Sequence, residues 1–504
     1  MLTPFIRPLF ASRLHAAATW RGRVEDVQRA ELARMVSMAR DTEWGRIHGF
    51  RKVRSYEDYR QAVATLTPYE ELRPLVMRMI GGEANVLWPG VTRNFAQSSG
   101  TSDGRSKYIP VTAESFRRTH YRGARHSVAH YLDNVSGSRL FDGRAFILGG
   151  SFANELSLPA GVSVGDLSAN LIARMPAMAE WIRVPKRRIA LMADWTEKLP
   201  ALVEASARRT DITNLSGVPS WFLTVLKGVL DHTGAETIHD VWPRLEVFFH
   251  GGIAFGPYRE QYRRITDPKR MHYLENYNAS EGFIAVQNDL SNPAMLMLLD
   301  AGQFFEFIPA DEALSANPRI LAPWEVTKGE TYALVLTAVN GLWRYPLGDT
   351  VTICDTDPLR ITVAGRTKHY INAFGEELMV HNADAALTAT CRRLDCDVAN
   401  YTAAPVYAGS RSRGRHQWLI EFNRAPERLD EFARVLDEEV QRQNSDYQAK
   451  RSGGIFLDPL TVTVARRGLF DDWLASTGKL GGQRKVPRLC NDRHFIDPML
   501  QMNQ

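Results

Sequence analysis

Long apolar runs are absent from this chain. None approaches the about 18 residues needed to span a bilayer, so neither a transmembrane helix nor a membrane partner is expected. Cysteine is scarce: Cys354, Cys391, Cys396 and Cys490 are irregularly spaced and form no Cys-x-x-Cys. That excludes a disulfide framework and points to a reduced, cytoplasmic setting. Charge of one sign is also in short supply, because the formal net charge is only +5 over 504 residues and the arginines are scattered. No case for nucleic acid follows from it. Acidic residues are missing from the start until Glu25, as in transit peptides, but the stretch also lacks a signal-type apolar core and a small-residue cleavage site. The expectation there is a docking helix.

With 44% apolar and 24% charged residues the chain has the composition of a globular protein, and its length predicts roughly two to four domains. The stretch Ser98-Ser99-Gly100-Thr101-Ser102-Asp103-Gly104-Arg105-Ser106-Lys107 lies between two short extended segments. Glycines let a backbone approach an anion, consecutive N–H groups form a concave nest, and hydroxyls and a lysine add donors, so this is the chemistry of a phosphate cradle. It is also the composition of a flexible linker, and it lacks the Gly-Lys-Ser/Thr spacing of a Walker loop. Its meaning depends on what accompanies it.

Around it, the apolar spacing of Val27, Leu32, Met35 and Met38 predicts a helix over about 24–40, and Ser55 reads as the cap of another. A helix from Thr112 to about Tyr131 is predicted, its N-terminus near the loop and its dipole favouring an anion there. Phe146–Gly150 and Leu245–Gly252 read as buried strands ending in glycines, and Gly165–Ser168 and Gly217–Trp221 as loop-to-helix signals. This alternation argues for an α/β fold. His250, at a strand end, is assigned no catalytic role.

Tyr277-Asn278-Ala279-Ser280-Glu281 delivers an aromatic ring, a hydroxyl and a carboxylate to one loop, able to stack on a purine and hold Mg²⁺, or simply to make a polar turn. Phe304–Pro309 and Tyr332–Thr337 are strand-like, and Asn340-Gly341 predicts a hairpin returning through Leu342–Tyr345 to a strand-end Gly348-Asp349. The main boundary is placed near Gly365-Arg366, giving a large domain over 1–365 and a small α+β domain over 366–504. In the latter, a helix from Ala383 to Leu394, a strand pair at Tyr401–Ala408 and Gln417–Asn423, a basic turn at 410–415 and a helix beginning at Pro426 are expected. A basic loop rich in glycine, Ser476–Arg488, suits reaching into another domain's active site.

Four of these stretches agree in order and spacing with the adenylate-forming superfamily: Ser98–Lys107, Tyr277–Glu281, Gly348-Asp349 and Gly365-Arg366. More narrowly, Asp41–Gly45, Ser98–Ser102, Phe305–Pro309, Ile371–Glu377 and Gln483–Arg488 resemble the acyl-acid-amido synthetases of the auxin-responsive family, found in plants and bacteria. The resemblance runs almost the full length. It implies a large α/β adenylate-forming domain with mixed sheets and a smaller, mobile α+β C-terminal domain.

It also implies a two-step reaction, in which a small carboxylic acid and ATP give an acyl adenylate and pyrophosphate and an amine, such as an amino acid, then takes the acyl group and releases AMP. By the same resemblance Ser98, Ser99, Thr101 and Ser102 would hold phosphates, with Lys107 close by and Ser280 beside the nucleotide. Tyr277 would stack on adenine, Asp349 would accept the ribose hydroxyls with Arg366 nearby, and Glu281, with Thr101, would hold Mg²⁺. Lys485 would meet the α-phosphate, Lys479 being the alternative, and the family suggests a monomer. Where many adenylate-forming enzymes carry arginine after the tyrosine of the ribose motif, this chain has Pro346, with Arg344 upstream. That leaves open which arginine, if either, meets the nucleotide. The other readings are acyl transfer to a thiol of coenzyme A or a carrier protein, and a catalytically inactive nucleotide-binding protein.

Overall fold

The computed structural model describes residues 2–98, 106–177, 179–366, 370–407, 413–476 and 486–504. Ser99, Thr101, Ser102, Lys479 and Lys485 therefore lie outside the described residues, as does the side chain of Arg366. The described chain divides into two compact units, one built from 2–98, 107–255 and 262–366 and the other mainly from 370–504.

The first unit is organised on an eleven-stranded mixed sheet. One half is antiparallel, in the order Gln303–Pro309, Thr331–Ala338, Leu342–Thr356, Leu359–Arg366, Met295–Met297, Phe283–Gln287 and His272–Asn278. From His272–Asn278 onward it is parallel, through Val247–Gly251, Ile212–Gly217, Arg144–Ile147 and Arg183–Val184. The parallel strands are linked by helices such as Pro219–Thr233, as expected where a strand must return in the same direction. His272–Asn278 thus has an antiparallel neighbour on one side and a parallel one on the other. Its carboxyl end carries the Tyr277–Glu281 stretch.

Helix Val24–Ala39 buries Leu32, Met35, Val36 and Ala39 and is stitched to the sheet by Gln28. The Gln28 amide donates to the carbonyls of Leu299 and Gln303 at 2.7 and 3.0 Å and accepts the Phe305 N–H at 2.9 Å. Ser55 and Asp58 form a reciprocal capping box on helix Tyr56–Ala62, as the serine predicted. The N-terminal helix Pro8–Ala18 packs on helix Tyr121–Asn134, with Arg7 donating to Val135 and Ser136 carbonyls and Arg13 paired with Asp300 at 3.2 Å. It is a docking helix. Among the described residues no helix is long and apolar enough to cross a membrane.

Three histidines on the Ser115–Asn134 helical stretch are buried and neutral. Burial pushes His120 down to about 4 and His130 to about 3, and lowers His126 beside Asp300. The unfolded chain takes up these protons near pH 6.5. Stability present above that pH is therefore lost as pH falls toward 4, by about 2 kcal/mol each for His120 and His130 at pH 5. Thermal denaturation at pH 5 is expected several degrees below that at pH 7, and His130→Gln should narrow the gap. An unchanged gap would remove His130 from this account.

In the second unit, helix Val380–Leu394 and helix Leu429–Gln443 pack together beside a three-stranded sheet, Asp397–Val406, Arg415–Arg424 and Thr461–Ala465. The second helix starts at Leu429 with Arg428 as its cap, not at Pro426. Asp430 and Glu431 fill its first turn, where acids suit the helix dipole, and Pro426 belongs to the preceding connection.

Candidate active site

The Ser/Thr/Gly stretch connects two antiparallel strands, Asn94–Ser98 and Lys107–Pro110, in which Ser98 pairs with Lys107 and Gln97 with Tyr108. Both ends of the loop are thereby held at one edge. The helix predicted after the loop starts beyond the second of these strands. Helical structure begins only after Thr112, whose hydroxyl accepts the Ser115 N–H at 3.0 Å and donates to the Val339 carbonyl at 2.7 Å. Strand Lys107–Pro110 lies between the loop's described end and that helix.

Lys107 has company of a different kind. Its ammonium donates to the Tyr345 hydroxyl at 2.9 Å and lies 5.5 and 5.8 Å from the Tyr345 and Tyr69 ring centres. The Tyr345 hydroxyl in turn is 3.5 Å from Glu281 Oε1. One phenol thus bridges a cation and a buried carboxylate contributed by distant parts of the chain.

Glu281 and Ser280 occupy the two corner positions of a tight hairpin between His272–Asn278 and Phe283–Gln287, closed by Ala279 and Gly282 exchanging N–H···O=C bonds at 2.9 and 3.2 Å. Asn340 Nδ2 donates to the Glu281 carbonyl at 3.0 Å, so the Asn340-Gly341 turn supports the acidic one. A Cβ on Gly282 would collide with Gln303 Oε1, which explains glycine after the glutamate. On the strand side, His120 Nδ1 lies 3.0 Å from Asn278 Oδ1.

Tyr277 donates its hydroxyl to the Asp349 carboxylate in a short hydrogen bond. Asp349 does not sit at a strand end, as expected, but within the 15-residue strand Leu342–Thr356. Ala333 pairs with Thr350 and Val335 with Pro346, so Leu347, Gly348 and Asp349 together face the single Leu334. Gly348 takes φ +91°, a conformation open to glycine. A bulge of this kind re-aims side chains out of the alternation of a regular strand, and here it brings Asp349 to Tyr277.

Arg344 is removed from the nucleotide question. It is buried, pairs with Glu306 through Nη2 and Nε at 2.9 and 3.0 Å, and donates from Nη1 to the Val63 and Ala64 carbonyls at 2.8 and 3.2 Å. Its role is to hold the Tyr56–Ala62 helix and the following loop to the sheet. Further along the carboxyl edge, Asp166 and Ser168 accept the Ser151 and Gly150 N–H groups at 2.6 and 2.9 Å. The fully buried Lys198 donates to the Gly149 carbonyl at 2.7 Å and lies 5.0 Å from the Trp195 ring, itself packed edge-on to Trp221 at 5.5 Å. Phe255 is core, stacked on His250 at 4.2 Å.

Of the residues singled out in the sequence, the side chains of Ser98, Lys107, Tyr277, Ser280, Glu281 and Asp349 are described, and the fold brings two contacting sets out of them, Tyr277 with Asp349 and Lys107 with Glu281 through Tyr345. Tyr345 and Asn340, which touch these residues, were missed. Tyr345 carried one signal, its place in the hairpin that leads to Gly348-Asp349, whereas nothing local marks Asn340 as a neighbour of Glu281.

Residues 14–198 match the GH3 family N-terminal domain, residues 296–366 the GH3 family central domain and residues 381–494 the GH3 family C-terminal domain. Indole-3-acetic acid-amido synthetase GH3.6 of Arabidopsis thaliana is 21% identical over 571 aligned positions, covering 94% of this chain and 90% of the relative. Among solved structures, the AtGH3.15 acyl acid amido synthetase in complex with 2,4-DB superposes with a TM-score of 0.62 at 18% identity, over 98% of this chain and 96% of that one. A 2-hydroxyisobutyryl-CoA ligase in complex with 2-HIB-AMP and CoA reaches 0.56 at 14% identity, over 95% and 92%. These two likenesses are of fold: a mixed α/β chain with a large N-terminal and a separate C-terminal part. Three successive domain matches along one chain, in the order of the motifs, establish that this protein belongs to the GH3 family.

Proposed function

We propose that this protein is an ATP-dependent, AMP-forming carbon–nitrogen ligase that adenylates a small carboxylic acid and passes the acyl group to an amine, an amino acid in the first instance. The observation that carries this reading is the pairing of Tyr277 with Asp349 and of Lys107 with Glu281 through Tyr345, at the carboxyl edge of the sheet in a GH3 family chain. Open α/β sheets bind nucleotides at that edge.

A carboxylate is a poor acyl donor, because it is anionic and would have to expel oxide. In the first step its oxygen attacks the α-phosphorus of ATP, and the bridging P–O bond breaks to release pyrophosphate. In the second, the amine nitrogen attacks the acyl carbon, the C–O bond to phosphate breaks, and AMP leaves while the amine proton passes to solvent. We assign the Tyr277 face to adenine, with Ser280 beside it, and Asp349 to the ribose hydroxyls, with Arg366 nearby. Ser98, Ser99, Thr101, Ser102 and Lys107 are assigned to the phosphates. Lys485 is assigned to the α-phosphate, where charge builds in the first step. The hard carboxylate oxygens of Glu281 suit Mg²⁺, which Glu281 and Thr101 would hold and which would supply charge neutralisation at the triphosphate. Tyr345 keeps that carboxylate oriented.

We place the division of labour at 1–365 for nucleotide and acid and 366–504 for the Lys485 loop, with rotation of the smaller domain exchanging the surroundings of one adenylate between half-reactions. A monomeric enzyme is the expectation from the family, and a cytoplasmic one from the scarcity of cysteine.

ATP–pyrophosphate exchange across aryl, aliphatic and amino acids tests this. Exchange with one acid class is expected to fall about 100- to 1,000-fold in Lys485→Ala and in Glu281→Ala. Absence of exchange with every acid, despite ATP binding, would favour a nucleotide-binding protein without catalysis. With the acid in hand, AMP release that depends on coenzyme A rather than on amines would favour the thiol-transfer reading, which the fold likeness to a CoA ligase keeps in view.

A further inference from the structure

The stretch Cys490-Asn491-Asp492-Arg493-His494 is held to the second unit by alternate residues. Its entry is pinned where Ala403 N–H donates to the Arg488 carbonyl at 2.8 Å and Cys490 N–H to the Ala403 carbonyl at 3.0 Å. Asn491 then accepts the Asn372 N–H on its side chain at 2.6 Å and the Tyr407 hydroxyl on its carbonyl at 2.8 Å. Arg493 reaches the Pro405 carbonyl, Gln417 and Asp497 at 3.1, 2.8 and 2.6 Å. With the odd-numbered residues committed to the body of the unit, the even-numbered side chains converge. Cys490 Sγ lies 3.5 Å from Asp492 Oδ1 and 3.9 Å from His494 Nδ1, and the histidine and aspartate are in direct contact. All three ligand atoms fall within 4.8 Å of one another.

We infer that Cys490, Asp492 and His494 form a binding site for a thiophilic divalent cation, with Zn²⁺ the best fit. Tetrahedral Zn²⁺ with bonds of about 2.3 Å to sulfur and about 2.0 Å to nitrogen or oxygen sets its ligand atoms about 3.5 Å apart, the separation found here between sulfur and carboxylate; the exposed imidazole, in direct contact with the carboxylate here, has to turn away from it to admit the ion. The sulfur, oxygen and nitrogen set is one Zn²⁺ takes and Mg²⁺ does not. A thiolate and a carboxylate together neutralise the dication, the thiol proton leaving to solvent, and neutral imidazole supplies the third bond. Water takes the fourth position, because Asp492 and His494 are more than half exposed. Lys485 lies a few positions upstream in the sequence, so a cation here would stiffen the chain leaving the proposed lysine loop.

Co²⁺ titration of the chelator-treated, reduced full chain is the test. One equivalent is expected to raise a near-ultraviolet thiolate-to-cobalt charge-transfer band that Zn²⁺ abolishes and Mg²⁺ does not. Cys490→Ser should remove the band, while Asp492→Ala and His494→Ala should weaken binding at least about tenfold, with circular dichroism unchanged in all three. Absence of the band, its survival in Cys490→Ser through Cys354, Cys391 or Cys396, or undiminished affinity in Asp492→Ala and His494→Ala would overturn the assignment.

Discussion

Asp349→Ala is expected to raise the KM for ATP in pyrophosphate exchange by about 100-fold. The proposed assignment gives the carboxylate both ribose hydroxyls, and hydrogen bonds to a charged group contribute about 1.5–3 kcal/mol each. Loss of two, partly compensated by water, leaves about 3 kcal/mol, which is two orders of magnitude. The Tyr277 hydroxyl, which donates to the same carboxylate, orients it, so Tyr277→Phe should cost far less, about tenfold. A substrate control separates recognition from damage. With wild-type protein, 2′-deoxy-ATP should be used less well than ATP, and in Asp349→Ala the two should be equivalent. If the variant still prefers ATP by the wild-type margin, Asp349 does not bind the ribose and its bulge has some other purpose.

The second large effect is on stability. Glu306→Ala is expected to destabilise the first unit by about 3–5 kcal/mol, read from urea unfolding. The Glu306 and Arg344 side chains are 1% and 2% exposed, and the glutamate also accepts the Tyr56 hydroxyl at 2.9 Å. Removing the carboxylate strands a buried guanidinium and a buried phenol, and breaking a buried pair by deleting one partner is costly because the remaining charge stays out of water. Arg344 also holds a left-handed backbone at φ +43°, a conformation that persists in a non-glycine residue only where its surroundings enforce it. Glu306→Gln, which keeps an acceptor for Arg344 and Tyr56, should lose clearly less. Equal losses in both variants would show that shape, not charge, is what the site needs.

Glu306 belongs to Phe305–Pro309, one of the stretches on which the family resemblance rests. Asp41–Gly45 is another such stretch: Thr42 caps a short helix by accepting the Gly45 N–H at 3.0 Å and Glu43 pairs with Arg78. A third is Ile371–Glu377, where Glu376 accepts the Phe374 N–H at 2.6 Å and His416 at 2.8 Å in a fully buried pair. Each carries the resemblance in sequence, and in the structure its polar side chains fasten neighbouring segments together.

Sequence by itself determined what depends on near neighbours in the chain. Apolar spacing marked the Val24–Ala39 helix, Ser55 its neighbour's cap, Asn340-Gly341 the hairpin and the glycine-ended runs the parallel strands, because period, capping and turn chemistry act over a few residues. The order of the motifs along the chain was enough to identify the family. Tertiary structure alone decided what depends on register and on contacts between distant segments. A bulge, not a strand end, carries Asp349 to Tyr277, since one strand slips by two residues against its partner. Arg344 became a core residue because Glu306, 38 positions away, was brought opposite it. Tyr345 joined Lys107 to Glu281 across 238 and 64 positions, separations over which no local pattern carries information.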